Sequence, residues 1–339
     1  CPVIDWKSTR SSRHNIVAPG ILATSFDNFM VYASYETRQS TQWVYGHFEY
    51  RFLNGALTPI EVNRTSPYAY SGTEARQVRG LSMTDYWLMY RYTATHVETP
   101  SYTKYAYGIG LDGGDSDPWN MAVYPVSADE AWIVGYPMAI HHWSRVSDGG
   151  TEFRETADPS IWPTMYLADV YVTPAGEVYA VGGNYVSNAA VGYIFREDGT
   201  VVSSPAITDT WYADGFNSID GTGDQVYVLH RSDSQQRGNV LARLEDGGFD
   251  VVYQAPFRLA RLDVEPSGGV WAVGATGEAI VYFDGGTWAT HPLPTTQFRG
   301  QVFWENVAAT TDGVILSGFE FEEDGGRSAI VNTYRRFGK

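Results

Sequence analysis

The sequence predicts an all-β protein, and more specifically a seven-bladed β-propeller with four-stranded antiparallel blades. One short phrase recurs along the 339 residues, and each copy alternates apolar and polar residues between turn-forming glycines. The clearest copy is Gly269–Gly274 (GVWAVG) followed by Tyr282–Trp288 (YFDGGTW). Because seven such copies account for the whole length, we predict a single propeller domain over residues 1–339.

The clearest copy divides into four short strands. The predicted strands are Ala260–Pro266, Val270–Gly274, Ala279–Phe283 and Thr287–His291. Short segments rich in Gly, Ser and Asp separate them, and these residues favour tight hairpin turns. One copy is therefore predicted to form one antiparallel sheet.

The copies can be aligned on one position of the second strand. The equivalent residues, called the repeat positions below, are Met30, Trp87, Trp132, Tyr179, Tyr227, Trp271 and Ile315. Successive members lie 44 to 57 residues apart, and repeats of about 40 to 50 residues are typical of propeller blades. The first spacing is the longest. It predicts insertions near residues 61–79 and 93–104, where Ser, Thr, Pro and Gly cluster.

The last copy ends after its third strand, Ala329–Arg335. A fourth strand must come from elsewhere, because a bare sheet edge exposes unpaired backbone groups. The segment Val3–Ser8 can supply that strand. We therefore predict that residues 1–12 form an N-terminal anchor and a closing strand for the ring.

The charge balance limits the possible partners. Asp and Glu number 39 against 23 Lys and Arg, which gives a formal net charge of −16. Such a surface repels phosphate backbones and anionic lipid head groups. We therefore expect no nucleic-acid partner.

Cys1 is the only cysteine, which excludes an intrachain disulfide. A chain that begins at cysteine resembles a mature bacterial lipoprotein, whose signal peptide is cut just before the residue that is acylated; a trimmed chain is the alternative. The resemblance implies N-terminal acyl and diacylglycerol groups on Cys1. It also implies a place in the bacterial cell envelope, at the outer membrane or at the periplasmic face of the inner membrane. We expect no other cofactor.

The phrase Val-Trp-Ala-Val-Gly, followed by an apolar strand and Asp-Gly-Gly-Thr-Trp, resembles the BNR or Asp-box repeat of bacterial propellers. Sialidases, propellers of the photosystem assembly-factor type and many surface lipoproteins carry such repeats. The resemblance covers about Leu81–Gly318 and implies a fold more than a function. We expect the Asp of each box to form a hairpin turn, at Asp148, Asp198, Asp246 and Asp284.

The sequence does not support a sialidase site. Such a site needs three arginines from separate blades, a Tyr with a Glu partner, and an early Arg-Ile-Pro phrase. The nearest match, Phe257–Ala260, lacks the proline. Hydrolase elbows, zinc-protease helices, phosphate loops and dinucleotide fingerprints are also absent from the sequence. We therefore predict no catalytic residue and a protein that is not an enzyme.

Two acidic segments and three histidines are the remaining candidates for metal binding. Asp112, Asp115 and Asp117 offer oxygen ligands for calcium, but a solvated acidic turn is the alternative. A second acidic stretch, which we expect to be solvated, contains Glu320, Glu322, Glu323 and Asp324. His141 and His142 point to opposite faces of a strand, so at most one can join a given site. His230 stands where other copies carry Gly, so it either faces the channel or is a structural histidine with satisfied nitrogens.

Five tyrosines outside the blade pattern are candidate interface residues, because Tyr provides wide contact area at low entropic cost. They are Tyr68, Tyr70, Tyr102, Tyr105 and Tyr107. Ordinary cover over the rim of the propeller is the alternative.

These observations lead to two functional hypotheses. The first is a lipid-anchored, non-catalytic propeller that binds other protein subunits of a bacterial envelope or membrane complex. The second is a carbohydrate-binding or glycan-hydrolysing propeller with its site at the channel mouth. A cluster of carboxylates and arginines that face the channel from several blades would favour the second hypothesis.

Overall fold

The computed structural model describes most of the chain. The described residues are 4–5, 14–39, 42–53, 56–60, 75–90, 93–98, 103–108, 119–136, 139–145, 151–155, 165–184, 190–195, 201–203, 213–232, 239–245, 248–277, 279–293, 300–321 and 327–335. None of these residues is helical. Over the same residues no helix has the length and apolar character needed to cross a bilayer.

Five sheets contain four antiparallel strands each, in chain order. Sheet 2 contains β6 (Ala75–Ser82), β7 (Asp85–Tyr90), β8 (Thr93–Glu98) and β9 (Thr103–Gly108). Sheet 3 contains β10 (Trp119–Ser127), β11 (Glu130–Tyr136), β12 (Ala139–Arg145) and β13 (Thr151–Glu155). Sheet 4 contains β14 (Met165–Val172), β15 (Val178–Asn184), β16 (Ala190–Phe195) and β17 (Val201–Ser203).

The remaining two four-stranded sheets follow in the chain. Sheet 5 contains β18 (Ala213–Thr222), β19 (Gln225–Ser232), β20 (Val240–Glu245) and β21 (Gly248–Gln254). Sheet 6 contains β22 (Leu259–Val264), β23 (Val270–Gly274), β24 (Ala279–Phe283) and β25 (Trp288–Pro292). The strands of sheet 6 agree with those predicted from the clearest copy to within two residues at each end.

An eight-stranded sheet, called the large sheet below, combines the two ends of the chain. Its first strands are β1 (Ile4–Asp5), β2 (His14–Ser25), β3 (Asn28–Gln39), β4 (Gln42–Leu53) and β5 (Ala56–Ile60). Its last strands are β26 (Gln301–Thr310), β27 (Gly313–Phe321) and β28 (Arg327–Arg335). Strand β1 pairs antiparallel with β28, and Ile4 lies opposite Val331. The number of blades and the closure of the ring stay predictions.

The apolar core lies between the sheets. Each hydrophobic cluster joins two successive sheets, and one joins sheet 6 to the large sheet. Second strands such as β23 are buried along their whole length because both of their faces are covered. This two-sided burial explains why the second strand of a copy is a continuous apolar run, whereas apolar and polar residues alternate elsewhere in the copy.

The glycine that ends the phrase has a steric reason. The first strand of each four-stranded sheet has a bulge opposite this position, for example between Leu167 and Asp169. A Cβ on Gly182 would lie 1.8 Å from the Tyr166 carbonyl oxygen, and one on Gly318 would lie 1.9 Å from the Phe303 carbonyl oxygen. A side chain does not fit at these two positions, so these two copies require glycine there.

The box of the clearest copy forms the predicted turn. The Oδ1 atom of Asp284 accepts hydrogen bonds from the amides of Gly286 and Thr287, each at 2.9 Å, and Gly285 has φ of 95°. Trp288 then stacks on Phe283 of its own sheet and on Tyr253 of sheet 5, with centroids 4.7 and 5.1 Å apart. Asp148, Asp198 and Asp246 lie outside the described residues.

The boundaries predicted for the two insertions need correction. Residues 75–79 belong to β6, residues 93–98 form β8, and residues 103–104 begin β9. Thr-rich segments suggested loops, but Thr is also a good strand former when a neighbouring strand pairs with it. Residues 61–74 and 99–102 lie outside the described residues.

Candidate functional site

A cavity of about 270 Å³ lies where the first strands of the sheets converge. Strands β2, β6, β10, β14, β18, β22 and β26 all contribute lining residues, so we call it the axial cavity. Its charged lining residues are Arg79, Asp169, Asp220, Arg261 and Asp263. A cluster of carboxylates and arginines from several blades was the feature expected to favour a carbohydrate site, and the structure contains such a cluster.

Strand register arranges the lining in two layers. Residues directly opposite the repeat positions are Leu22, Arg79, Tyr124, Tyr171, Asp220, Asp263 and Ala308. Residues opposite the position two further along the second strand are Gly20, Gln77, Ala122, Asp169, Ser218, Arg261 and Asn306. All of these except Gly20, Ala122 and Tyr171 line the axial cavity.

Several lining side chains connect one sheet to the next. Each accepts a hydrogen bond from a backbone amide of the following first strand. The pairs are Gln77 Oε1 with Val123 N at 2.8 Å, Asp169 Oδ2 with Ile219 N at 3.2 Å, Asp220 Oδ2 with Val264 N at 2.8 Å, and Asp263 Oδ2 with Ala309 N at 2.5 Å. Polar groups in this cavity therefore hold neighbouring sheets together.

Asp169 is the most fully bonded of the carboxylates and is 2% exposed. It accepts from Arg261 Nη1 at 3.1 Å, from Gln77 Nε2 at 3.2 Å and from Ser218 Oγ at 3.4 Å. Arg261 Nη1 also donates to the carbonyl oxygen of Asn217 at 2.9 Å. The charge of Asp169 is thus neutralised by Arg261, and most of its hydrogen-bonding capacity is used.

Arg79 is held in a similar way, by a backbone carbonyl and a carboxylate. Its Nη1 donates to the carbonyl oxygen of Val170 at 2.8 Å, and its Nη2 lies 3.5 Å from Asp220 Oδ1. The guanidinium also lies over the ring of Tyr124, 5.1 Å from the centroid. Burial raises the pKa of Tyr124 to about 12, so this phenol stays protonated at neutral pH.

Asp263 differs from the other two carboxyls because no guanidinium lies within ion-pair distance of it among the described residues. Burial, and then the neighbouring charge of Asp220, raise the pKa of Asp263 well above its ordinary value. The described lining therefore has three carboxyls against two guanidiniums, and this excess of negative charge favours the protonated form of Asp263.

The rim of the cavity carries exposed apolar side chains. Leu81, at the end of β6, lines the cavity and is 44% exposed. Val126 occupies the equivalent position at the end of β10 and is 38% exposed. Pro125 lines the cavity beside it. We call Leu81, Pro125 and Val126 the apolar rim.

A second polar cluster lies between sheets 2 and 3. Asp85, His96 and Glu98 bring three potential ligand atoms within 4.8 Å of one another, a donor set that suits zinc. His96 Nε2 lies 2.7 Å from Asp85 Oδ1, and its ring stacks on Trp87. However, Arg145 Nη2 lies 2.6 Å from Glu98, so a guanidinium already supplies the positive charge there. This cluster links two sheets.

The histidines named from the sequence are structural. Burial lowers the pKa of His230 and of His141 to about 4. His230 is fully buried against Phe216, with ring centroids 5.8 Å apart, and does not line the axial cavity. Neither of its ring nitrogens has a hydrogen-bond partner among the described residues, so the expectation of satisfied nitrogens was wrong. His142 Nε2 lies 2.9 Å from Glu130 Oε1.

Most of the other candidates lie outside the described residues. These are Cys1, Tyr68, Tyr70, Tyr102, Asp112, Asp115, Asp117, Glu322, Glu323 and Asp324. The backbones of Tyr105 and Tyr107 belong to β9. Glu320 is buried and accepts a hydrogen bond from the Gly300 amide, so for this residue a solvated position was the wrong expectation.

Sequence reasoning missed the axial carboxyls and arginines. Arg261 and Asp263 occupy alternate positions of a first strand that is otherwise apolar. Asp220 also lies in a first strand, seven residues before the repeat position Tyr227. Charged residues inside a predicted first strand were therefore the available signal, since only an internal cavity makes such positions tolerable.

Comparison with known proteins identifies the fold. No family model matches the chain, and no curated protein matches it in sequence. Solved structures that resemble it include virginiamycin B lyase from Staphylococcus aureus with quinupristin, at a TM-score of 0.63 and 11% identity over 98% of both chains. YCF48 bound to a D1 peptide matches at 0.60 and 11% over 99% of both chains.

A third match is the extracellular domain of the putative one component system BT4673 from B. thetaiotaomicron. It has a TM-score of 0.59 and 11% identity, and the alignment covers 96% of this chain and 39% of that one. At such identities the likeness concerns the fold alone. Together with the antiparallel sheets packed around an axial cavity, it shows that this chain is a β-propeller protein.

Proposed function

We propose that this chain is a non-catalytic binding propeller that docks an extended segment of a partner protein at the mouth of the axial cavity. The observation that carries the proposal is the apolar rim. Leu81 and Val126 are two of the four large apolar side chains that stand exposed among the described residues. Leu81 lines the cavity, and Val126 directly follows Pro125, which also lines it. Exposed apolar groups beside a concave site favour a protein or ligand contact. YCF48 provides a precedent on this fold, because that protein was solved with a peptide bound.

The polar lining supports binding rather than glycoside hydrolysis. Asp169 and Arg261 neutralise each other, and Arg79 is held by a backbone carbonyl and by Asp220. Asp220 and Asp263 are neighbours, and the charge of Asp220 raises the pKa of Asp263. Carboxyls that cleave a glycosidic bond stand about 5 Å or more apart, because the sugar lies between them.

We further propose seven blades. The large sheet divides where β2 meets β28, because a single parallel pair, Asn15 with Arg327, connects them. Strands β2–β5 then form one blade, and β26–β28 form another with β1 as its fourth strand. A register of one pair contributes little cohesion compared with the nine pairs that join β27 to β28.

Site-specific photo-crosslinking in the full-length protein tests the docking surface. A photoreactive residue at position 126 should crosslink one protein, and the same residue at position 251 should not. Val251 is the matched control because it is 56% exposed on the outer strand β21. Leu81→Glu should lower the yield from position 126 by at least about fivefold. Identical products from both positions would contradict the proposal.

A carbohydrate ligand is the second candidate, and the axial cluster of carboxylates and arginines favours it. A glycan array with the purified chain tests it. Binding that is lost in Asp263→Asn and kept in Leu81→Glu would favour the glycan over the peptide segment.

A further inference from the structure

The axial cavity has an unbalanced charge. Its described lining contains the carboxyls of Asp169, Asp220 and Asp263 and the guanidiniums of Arg79 and Arg261. Asp169 pairs with Arg261 at 3.1 Å, and Asp220 pairs with Arg79 at 3.5 Å. One carboxyl is therefore left over, and it must bind either a proton or an external cation.

The two guanidiniums are held where they are. Arg261 Nη1 donates to the Asn217 carbonyl oxygen at 2.9 Å, and Arg79 Nη1 donates to that of Val170 at 2.8 Å. Moving either group toward Asp263 would leave a buried carbonyl without its donor and separate an existing ion pair. A cation that replaces the proton on Asp263 therefore has to come from outside the described part of the propeller.

The lining of the cavity suits a cation that is carried on an apolar stem. Its volume of about 270 Å³ is shared with the apolar rim, and Leu22, Leu81 and Ala308 line it next to the charged groups. An apolar stem with a charged end matches this arrangement, as long cationic side chains do at other surfaces. The net charge of −16 also attracts a cationic partner.

We propose that the axial cavity binds the side chain of a lysine from the docked segment, with its ammonium group placed between Asp220 and Asp263. The ammonium takes the place of the proton on Asp263, and that proton is released to solvent. Three N–H donors on a compact head suit oxygens from two carboxyls, whereas the broad guanidinium of arginine suits a single carboxylate fork. This inference rests on the proposed function and names what the docked segment presents.

Calorimetry on the full chain with a capped pentapeptide, Ac-Gly-Leu-Lys-Leu-Gly-NH2, tests the proposal. The matched peptide replaces lysine with norleucine, which keeps the stem and removes the ammonium. We expect the lysine peptide to bind at least about tenfold more tightly at pH 8. Equal affinities would overturn the lysine proposal and leave rim docking intact, whereas binding of neither peptide would count against both. Tighter binding of the arginine analogue would overturn the choice of an ammonium.

Proton release provides an independent readout. Asp263 faces Asp220 from β18, Arg79 from β6, Tyr124 from β10 and the Ala309 amide from β26. Of these, Asp263 is the carboxyl that starts out protonated, so affinity should rise about tenfold per pH unit until its raised pKa is passed. Because the buffer takes up the released proton, the binding enthalpies measured in phosphate and in Tris should differ by the difference between the ionisation enthalpies of the two buffers. Identical enthalpies in the two buffers would overturn the displacement step.

Asp263→Asn separates recognition from folding. The asparagine side chain can still accept a hydrogen bond from Ala309 N and can donate one to Asp220. The variant therefore keeps the hydrogen-bonding capacity of the protonated carboxyl. It should lose at least about tenfold in affinity for the lysine peptide and keep its affinity for the norleucine peptide. Asp250→Asn makes the same charge change on an exposed residue of β21. It should bind both peptides as the parent does, and an equal loss there would show a long-range charge effect instead.

Discussion

The carboxyl groups of Asp220 and Asp263 lie beside each other in the axial cavity, although the two residues belong to different sheets. Each carboxyl also accepts a hydrogen bond from a backbone amide of the following sheet. The same groups therefore connect three successive sheets and set the charge of the cavity.

Replacing Asp263 by asparagine should stabilise the protein at neutral pH. Burial and Asp220 raise the pKa of Asp263 in the folded state above the ordinary 3.8. As pH rises from 3.8 to the folded pKa, the folded state holds a proton that the unfolded state has lost, so stability falls; above that pKa the penalty is constant. Asp263→Asn removes this penalty and should gain about 0.5–2 kcal/mol at pH 7. Urea titrations at pH 4 and pH 7 measure the gain, which should shrink toward the acid end. A loss at pH 7 would contradict the assignment of the proton.

Replacing Asp169 by asparagine should have the opposite effect. Asp169 is 2% exposed and pairs with Arg261 at 3.1 Å, so its removal leaves a guanidinium without its counter-charge. Breaking one partner of a buried pair costs about 3–5 kcal/mol, and the partial exposure of Arg261 places this case at the lower end. The double variant Asp169→Asn, Arg261→Met should recover part of the loss in urea titrations. A double variant as unstable as the sum of the two singles would show that the pair does not interact.

His230 should make folding sensitive to acid. Burial lowers its pKa to about 4 in the folded state, from 6.5 for the free group. Between these values the unfolded state binds the extra proton, so stability is lost as pH falls through that window. His230→Leu removes a buried ring whose nitrogens have no hydrogen-bond partner among the described residues. This variant should reduce the dependence of the melting temperature on pH between pH 6.5 and 4. The exposed His291 provides the control, because His291→Leu should leave the slope unchanged. His141 has the same lowered pKa and accounts for the slope that remains.

The glycine of the repeat phrase should not tolerate a methyl group. A Cβ on Gly182 would lie 1.8 Å from the Tyr166 carbonyl oxygen, which belongs to the backbone of the first strand and cannot rotate away. Gly182→Ala should therefore cost about 3 kcal/mol or more, as overpacking against rigid neighbours does. In Gly286→Ala the new Cβ would meet only Asp284 Oδ1, at 3.6 Å, and stability should change by less than about 0.5 kcal/mol. Chemical denaturation of the two variants side by side distinguishes a packing effect from a general effect of glycine.

Much of the fold was accessible from the pattern of the chain. The strands of sheet 6 were predicted within two residues, because Asp284 and its glycines punctuate an apolar run that is buried on both faces. Boundaries failed near β6 and β8, where Thr and Ser occur inside strands. Composition alone does not distinguish a loop from a strand that has a partner.

The axial site was much less accessible. Asp169 and Arg261 are 92 residues apart, and Arg79 and Asp220 are 141 residues apart. Nothing local in the sequence couples such residues, so the charged residues of the first strands looked like ordinary solvent-facing alternation. The aligned repeat positions did contain the necessary register, since each of them lies directly opposite a residue of a first strand. Arg79, Asp220 and Asp263 are three of these opposite residues.

The sequence by itself determined the all-β class, the antiparallel sheets and the turn at Asp284, because these depend on contacts within one repeat. The tertiary structure decided which charges meet. Asp220, Asp263 and Arg79 come from different sheets, and they interact only because those sheets surround one axis. Burial in that cavity raises the pKa of Asp263. Burial is a property of the assembled propeller rather than of any single repeat.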